Sequence, residues 1–145
     1  MNVYATVGDM IEQFGEGEIR QLSDRDNTGL VDQAVIARAL ERSSADIDGY
    51  IGWLHSASIS AGAGARNLLK GLCCDMARYR LAGSDGRLAT DEMRDRNREA
   101  VRMLTMIAKG EIKLHAEDVT APANQDRVQS MNVGTRIGND LKDYF

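Results

Sequence analysis

The sequence predicts an all-α fold: a small bundle of three long and two short helices, with a short β-like segment and an extended C-terminal tail. Aromatic residues make up only 5% of the 145 residues, so Leu, Ile, Ala and seven Met must fill the interior. Such a composition favours helices over a β-sandwich. Pro122 is the only proline, which leaves the first 121 residues without the strongest helix breaker. Apolar residues also recur at helical spacing in several long stretches.

The stretch 66–83 is predicted to form the central helix of the core. Its apolar residues recur at the spacing of one helical face. Gly83 follows the last of them, at the position where a left-handed turn ends many helices. The neighbouring helices should therefore pack on the stripe formed by Leu68, Leu69, Leu72, Cys73, Met76 and Tyr79. The charged residues of the stretch lie largely off that stripe, and they are Lys70, Asp75, Arg78 and Arg80.

Two short helices are predicted near the start of the chain. Thr6 is placed to cap the first of them, and Asp9 stands three residues later, as in a capping box. This helix should end at Gly15. A second short helix is predicted over 17–23.

Two further long helices are predicted, one over 31–54 and one that begins after Thr90. Acidic residues in the first turn of the latter suit the helix dipole, and Lys109 and Gly110 close it. The apolar stripe of the former contains Val31, Val35, Ile36, Leu40, Ile47, Tyr50, Ile51 and Leu54. The stripe of the latter contains Met93, Asn97, Ala100, Val101, Leu104, Ile107 and Ala108.

The last helix also carries four arginines, at positions 94, 96, 98 and 102. They spread over more than one side of the helix, and acidic residues are mixed among them. No aromatic residue interleaves with them. This pattern favours a solvated helix surface over a DNA-binding surface.

The loop that follows the second short helix resembles part of a calcium-binding EF-hand loop. An EF-hand needs a bidentate Glu at position 12, and that position is occupied here by the apolar Val35. A polar turn that caps the next helix is therefore favoured over a calcium site, and no metal is predicted. The positions that do fit the motif are Asp24, Asp26, Thr28, Gly29 and Asp32.

The small-residue stretch 56–64, SASISAGAG, has neither charge nor periodicity. It is predicted to be a flexible connector. Contact with a partner is the alternative interpretation of the same stretch.

The character of the chain changes after Gly110. Residues 111–114 alternate polar and apolar side chains, as a short strand does. Residues 115–145 are polar and poorly periodic. We therefore predict a helical domain over 1–114 and an extended tail or docking arm over 115–145. Four apolar residues near its end are expected to anchor the tail on a partner: Ile137, Leu141, Tyr144 and Phe145.

Charge is distributed unevenly along the chain. Residues 1–55 carry ten acidic and four basic side chains, a net charge of −6, whereas residues 66–113 carry eleven basic and seven acidic ones, a net charge of +4. Copies of such a chain can dock head to tail. A dipolar, fully solvated surface explains the distribution equally well. The net charge of −4 for the whole chain argues against nucleic acid as the main partner.

The residues give no sign of an enzyme or of a membrane protein. The two histidines, His55 and His115, are far apart, and no phosphate-binding glycine motif is present. Cys73 and Cys74 are adjacent within a predicted helix, so they are expected to be core cysteines rather than a disulfide or a reactive thiol. The start of the chain lacks the pattern of a secretory signal, and no apolar run is long enough to span a membrane. We therefore predict a protein of the reducing cytoplasm without catalytic residues or cofactors.

Several segments resemble the small head-morphogenesis proteins of Mu-like phages and prophages. They occur in the expected order and cover most of the chain: YATVGDMIEQFGEGEIRQLSDRDNTGLVDQAVIARAL, ADIDGYI, LLKGLCCDMARYRL and IAKGEIKL. The end, TRIGNDLKDYF, is similar to the aromatic-tipped tail of that family. In one place the chain departs from the family, because SASISAGAG replaces a proline-containing loop.

The resemblance implies a structural protein of the virion's head-to-tail joining region, made in the host cytoplasm. It implies a twelve-fold ring that binds the portal protein on one side and tail-side neck or tail terminator proteins on the other. Genome DNA would contact the ring lumen only passively. The alternatives are another head-assembly or tail-completion protein and, as a different class, a small helical DNA-binding regulator. The family brings no catalytic residues, so the resemblance predicts none.

Overall fold

A computed structural model describes residues 3–52, 62–84 and 89–114 of the chain. The described residues form helices and no strand, which confirms the predicted all-α class. The helices are α1 (Val7–Phe14), α2 (Glu16–Ser23), α3 (Gln33–Ile51), α4 (Ala63–Gly83) and α5 (Asp91–Ala108).

Helix α4 is the centre of the fold, as predicted. It packs against each of the other four helices, and α3 and α5 also contact each other. Its residues Leu69, Cys73, Cys74 and Ala77 are completely buried. One core thus joins all five helices, and the apolar sides of α1 and α2 close it from one direction.

The apolar stripe predicted for α4 describes only part of its buried surface. Leu68 and Tyr79 are partly buried, whereas a second set of positions is buried as well: Cys74, Ala77, Arg78 and Leu81. The expectation that Arg78 lies off the buried side is therefore wrong. Because neighbours cover α4 from several directions, the helix has little solvated face over this part of its length.

The helix starts follow the predicted capping residues. Thr6 and Asp9 form a reciprocal capping box, in which the Asp9 N–H donates to Thr6 Oγ1 and the Thr6 N–H donates to Asp9 Oδ2. Thr90 accepts a hydrogen bond from the Met93 N–H at the start of α5. These side chains satisfy backbone donors that have no partner inside the helix.

The starts of three helices differ from the prediction. Helix α2 begins at Glu16, one residue early. Helix α3 begins at Gln33 rather than Val31, because the Asp32 carboxylate accepts hydrogen bonds from the N–H groups of Ala34 and Val35 and so caps the helix. Helix α4 begins at Ala63, inside the predicted connector. Residues 53–61, which include the end of the helix predicted over 31–54 and most of the connector predicted over 56–64, lie outside the described residues.

The predicted strand over 111–114 is wrong. Gly110 adopts a left-handed conformation with φ of 81°. Its N–H donates to the carbonyl of Ile107, and the N–H of Glu111 donates to that of Met106. This arrangement is a Schellman motif, which ends the helix and reverses the chain. The alternation of polar and apolar residues instead places Ile112 and Leu114 against the core.

Candidate assembly surface

The four predicted tail anchors, Ile137, Leu141, Tyr144 and Phe145, lie outside the described residues, as does the whole predicted tail over 115–145. The anchoring role therefore stays a prediction.

The loop between α2 and α3 is a polar turn, as predicted. The two oxygens of the Asp24 carboxylate accept hydrogen bonds from the N–H groups of Thr28 at 2.8 Å and Gly29 at 2.7 Å. Asn27 and Gly29 have positive φ, which allows the loop to fold back on this carboxylate. Asp24 thus binds the backbone of its own loop, and Asp32 caps the helix that follows.

The same loop presents an apolar side chain to solvent. Leu30 is 70% exposed, and the loop residues before it are also exposed. Glu12 on α1, Glu16 at the start of α2 and Asp26 in the loop are also exposed and form no ion pair with another described residue. We call Leu30 with these three acids the acidic knob.

Some charges of the acidic N-terminal half and the basic central part form ion pairs within the same chain. Lys70 on α4 lies 3.3 Å from Asp9 on α1, and Arg78 on α4 lies 2.6 Å from Glu18 on α2. Arg80 on α4 also pairs with Asp46 on α3. The basic central helix and the acidic N-terminal half therefore attract each other within one chain. Exposed charges of both signs lie outside these pairs, among them the acidic knob and the lysines after α5, Lys109 and Lys113.

Arg78 is a buried cation that contacts groups from three other helices. Its Nε and Nη2 donate to Glu18 Oε1 at 3.0 and 2.6 Å, and Nη1 lies 3.5 Å from Glu92 Oε1 without hydrogen-bond geometry. The guanidinium also lies over the Phe14 ring, 4.6 Å from its centre. Sequence analysis missed this site. The available signal was the spacing of Cys74, Ala77, Arg78 and Leu81, which continues a helical stripe through the arginine.

Asp75 extends this group of charges toward α5. It lies 3.7 Å from Arg96, which also binds Glu92 at 3.1 Å. Burial raises the pKa of the Asp75 carboxyl, and the nearby Arg96 and Arg78 act in the opposite direction without cancelling that rise. These side chains form a structural ion-pair network that joins α4 to α5.

The arginines on the exposed side of α5 are paired along their own helix. Arg94 binds Asp91, Arg98 binds Asp95 and Arg102 binds Glu99, each three residues apart. Such pairs partly neutralise one another and leave no continuous row of cations for phosphate contacts. The solvated helix surface predicted from the sequence agrees with this arrangement.

Both cysteines are core residues, as predicted. Cys73 and Cys74 are fully buried and form no disulfide. Cys73 Sγ lies 3.5 Å from Ser44 Oγ and donates to the carbonyl of Leu40 at 3.8 Å. Burial raises the pKa of both thiols, that of Cys74 to about 12. Neither thiol is therefore activated as a nucleophile at neutral pH.

An open cleft of about 430 Å³ lies where α3, α4 and α5 meet. Met76 of α4 forms part of its lining, and Val101 of α5 and Tyr50 of α3 contribute side chains as well. The remaining lining residues are Ala45, Asp46 and Gly49 of α3. We call this feature the α3–α5 cleft. Nothing in the sequence analysis predicted it.

Across residues 3–52, 62–84 and 89–114, no group of three or more His, Cys, Asp or Glu side chains is placed to hold a metal ion. Within the same part of the chain, no helix has the length and apolar character needed to cross a membrane.

These features define a small all-α protein with a charged surface and an exposed leucine in the loop after α2. A sequence model of the family described as "Bacteriophage Mu, Gp36" matches residues 4–133. The match spans most of the chain, and the chain belongs to this family. It is therefore a protein of the Mu-like phage group, which confirms the resemblance seen in the sequence. The matched region ends before the predicted tail anchors.

One relative of known origin is the "Mu-like prophage FluMu protein gp36" of Haemophilus influenzae. It is 28% identical to this chain over 118 residues, which cover 81% of this chain and 79% of the relative. The similarity thus extends over most of both proteins.

Proposed function

We propose that this chain is a structural protein of the virion, a subunit of a connector ring between the portal and the tail-side neck proteins. The observation that carries the proposal is the match to a Mu-like phage family over residues 4–133. The acidic knob, with Leu30 at 70% exposure, is the contact surface that we assign to the subunit. An apolar side chain on a charged rim is the composition of a protein–protein contact. The role is structural, and no catalytic residue, cofactor or metal is part of it.

Head-to-tail packing of copies brings exposed charges of opposite sign together across each contact. The acidic knob lies on α1, α2 and the loop after α2, whereas Lys109 and Lys113 follow α5. A ring needs two different complementary surfaces on each subunit, because each copy meets a neighbour on either side. The internal pairs of Lys70, Arg78 and Arg80 join helices of the subunit itself.

The proposal is tested by negative-stain imaging of the purified protein, alone and mixed with portal rings from the same phage. We expect portal rings to gain an additional layer of density. Undecorated portals beside a protein that stays monomeric would contradict the connector role and favour a different head or tail-side component.

The predicted tail anchors supply a second test. A chain truncated after residue 133 should keep its helical circular dichroism spectrum and thermal midpoint, because the described core ends at residue 114. It should fail to join heads to tails in an in vitro assembly assay, because the apolar tip that binds the partner is missing.

A full-length pair of variants separates loss of the anchors from loss of chain length. Replacing Ile137, Leu141, Tyr144 and Phe145 with Ser should reproduce the defect, whereas replacing Asn139 and Asp140 with Ser should not. Normal joining by the truncated chain would refute the anchoring role.

A further inference from the structure

The α3–α5 cleft exists because two small residues lie one helical turn apart on α3. Ala45 and Gly49 are exposed, and a side-chain carbon added at Gly49 would meet no other atom within 4 Å. Larger side chains surround this gap, with Met76 almost completely buried at its inner side. Its volume of about 430 Å³ is within the range of roughly 300–1,000 Å³ found for ligand pockets.

The cleft is suited to an apolar occupant. Asp46 is the charged residue of its lining, and the Asp46 carboxylate is already paired with Arg80. An apolar group that covers the cleft would therefore leave no uncompensated charge behind, and the main penalty of burying a carboxylate is avoided. The other lining residues offer methyl, methylene, thioether and aromatic surface.

The chain carries an apolar segment of matching character beyond the described residues. Ile137, Leu141 and Tyr144 are spaced i, i+4 and i+7, the spacing with which one face of a helix enters a groove. The segment 134–145 contains two basic and two acidic side chains, so its charge does not oppose docking.

The segment is also within reach. Val101 and the last residue of α5, Ala108, are seven residues apart, or about 10 Å along the helix axis. Beyond α5 the Schellman motif reverses the chain, and Leu114 packs against the core. The 22 residues from 115 to 136 could span up to ~70 Å if extended and about 25 Å as a coil. Attachment to the same chain gives the tip an effective concentration on the order of millimolar.

We propose that the segment 134–145 docks in the α3–α5 cleft of its own chain, with Ile137, Leu141 and Tyr144 facing the cleft. The free protein thereby covers its apolar tip until an assembly partner displaces it. Docking within the free chain does not depend on the proposed ring or on the portal, so it is tested without either.

The test compares backbone amide NMR spectra of the full chain and the chain truncated after residue 133. We expect the truncation to shift the amide signals of Ala45, Gly49 and Val101 and to leave those of Gly17 and Ile19 on α2 unchanged. The shifts should be independent of protein concentration. Addition of a synthetic peptide of residues 134–145 to the truncated chain should move the same signals back.

Filling the cleft provides the matched pair of variants. Gly49→Leu should abolish the effect of truncation and weaken peptide binding at least about tenfold, because the new side chain occupies the gap. Gly17→Leu adds the same side chain at an exposed helical glycine outside the cleft. It should change neither the effect of truncation nor the affinity for the peptide. Thermal unfolding of both variants shows whether they fold.

Three results would overturn the proposal. One is truncation that leaves the signals of Ala45, Gly49 and Val101 in place. Another is peptide binding that Gly49→Leu does not weaken. The third is a shift that grows with protein concentration, because the occupant would then be the tail of a second copy.

Discussion

Arg78 lies inside the core with its guanidinium held by groups from α1, α2 and α5. The residue is 7% exposed, and the Glu18 side chain that binds it is 28% exposed. A buried ion pair adds little net stability relative to apolar residues, but removing one partner leaves a charge without compensation. The main effect of losing Arg78 is therefore a partly buried Glu18 carboxylate without its cation.

We predict that Arg78→Ala lowers the free energy of unfolding by about 2–4 kcal/mol. The loss should be no larger than that for a completely buried ion pair, because the Glu18 side chain remains partly exposed to solvent. Urea titration followed by circular dichroism measures the change. Arg98→Ala is the control, because Arg98 and Asp95 are 79% and 71% exposed and should lose no more than about 0.5 kcal/mol. Equal losses in the two variants would contradict a special role for the buried cation.

Two carboxylates should respond to pH in opposite directions. Burial raises the pKa of Asp75 above 3.8, so the folded protein holds this proton more tightly than the unfolded chain. Ionisation of Asp75 therefore lowers stability as the pH rises above 3.8. Burial also favours a higher pKa for Asp9, but hydrogen bonds from Thr6 and the charge of Lys70 outweigh it and lower the pKa below 3.8. Asp9 thus stabilises the fold above pH 3.8, and this contribution is lost as the pH falls through its lowered pKa.

We predict that Asp75→Asn raises the free energy of unfolding at pH 7 and loses that advantage when the pH falls below 3.8. Asp9→Asn should lower it at pH 7, with a deficit that shrinks in acid. Urea titrations of both variants and the wild type between pH 3 and 7 provide the measurement. Parallel pH profiles of the two variants would show that the environments of the two carboxylates do not differ in this way.

At the scale of the element, the capping box of α1 is the simplest case of sequence dictating structure. Thr6→Ala removes the hydroxyl that accepts from the Asp9 N–H, and should cost about 1 kcal/mol of unfolding free energy. Thr6→Ser keeps the hydroxyl and should stay close to the wild type. Chemical denaturation distinguishes the two, and an equal loss in both variants would mean that the Thr6 methyl group, rather than the cap, is responsible.

The helices were predictable because their signals are local. Thr6, Asp9 and Thr90 cap helices through residues three positions away, and Gly15 and Gly110 end helices at the expected places. The strand predicted over 111–114 failed because period-two alternation over four residues also fits a chain that reverses after a helix. Strand formation needs a partner, which a single short stretch cannot specify.

The sites that sequence analysis missed depend on tertiary packing. Arg78 is buried because α1, α2 and α5 all supply groups to it, and one of these groups, Phe14, is 64 residues away from Arg78 in sequence. The α3–α5 cleft likewise results from the packing of Ala45 and Gly49 beside α5. Helical periodicity identifies one face of a helix, but not a second face that other helices will cover.

At the scale of the whole molecule, the acidic knob is the surface that we propose for assembly. Leu30 is the more exposed of the two large apolar side chains that the described residues leave in solvent, and Val3 at 56% is the other. An exposed side chain contributes little to folding, so Leu30→Ser should change the unfolding free energy by no more than about 0.5 kcal/mol. If Leu30 inserts into a neighbouring copy or the portal, the same substitution removes apolar area at that contact.

We therefore predict that Leu30→Ser weakens ring formation or portal decoration while the subunit stays folded, and that Val3→Ser does neither. Sedimentation velocity and negative-stain imaging of the two variants measure assembly. The remaining association should weaken further as salt is raised, because the exposed charges of Glu12, Glu16 and Asp26 are screened. Unchanged assembly by Leu30→Ser would show that the acidic knob is not the contact surface. An equal loss of assembly in Val3→Ser would place the contact nearer the start of α1 than the loop after α2.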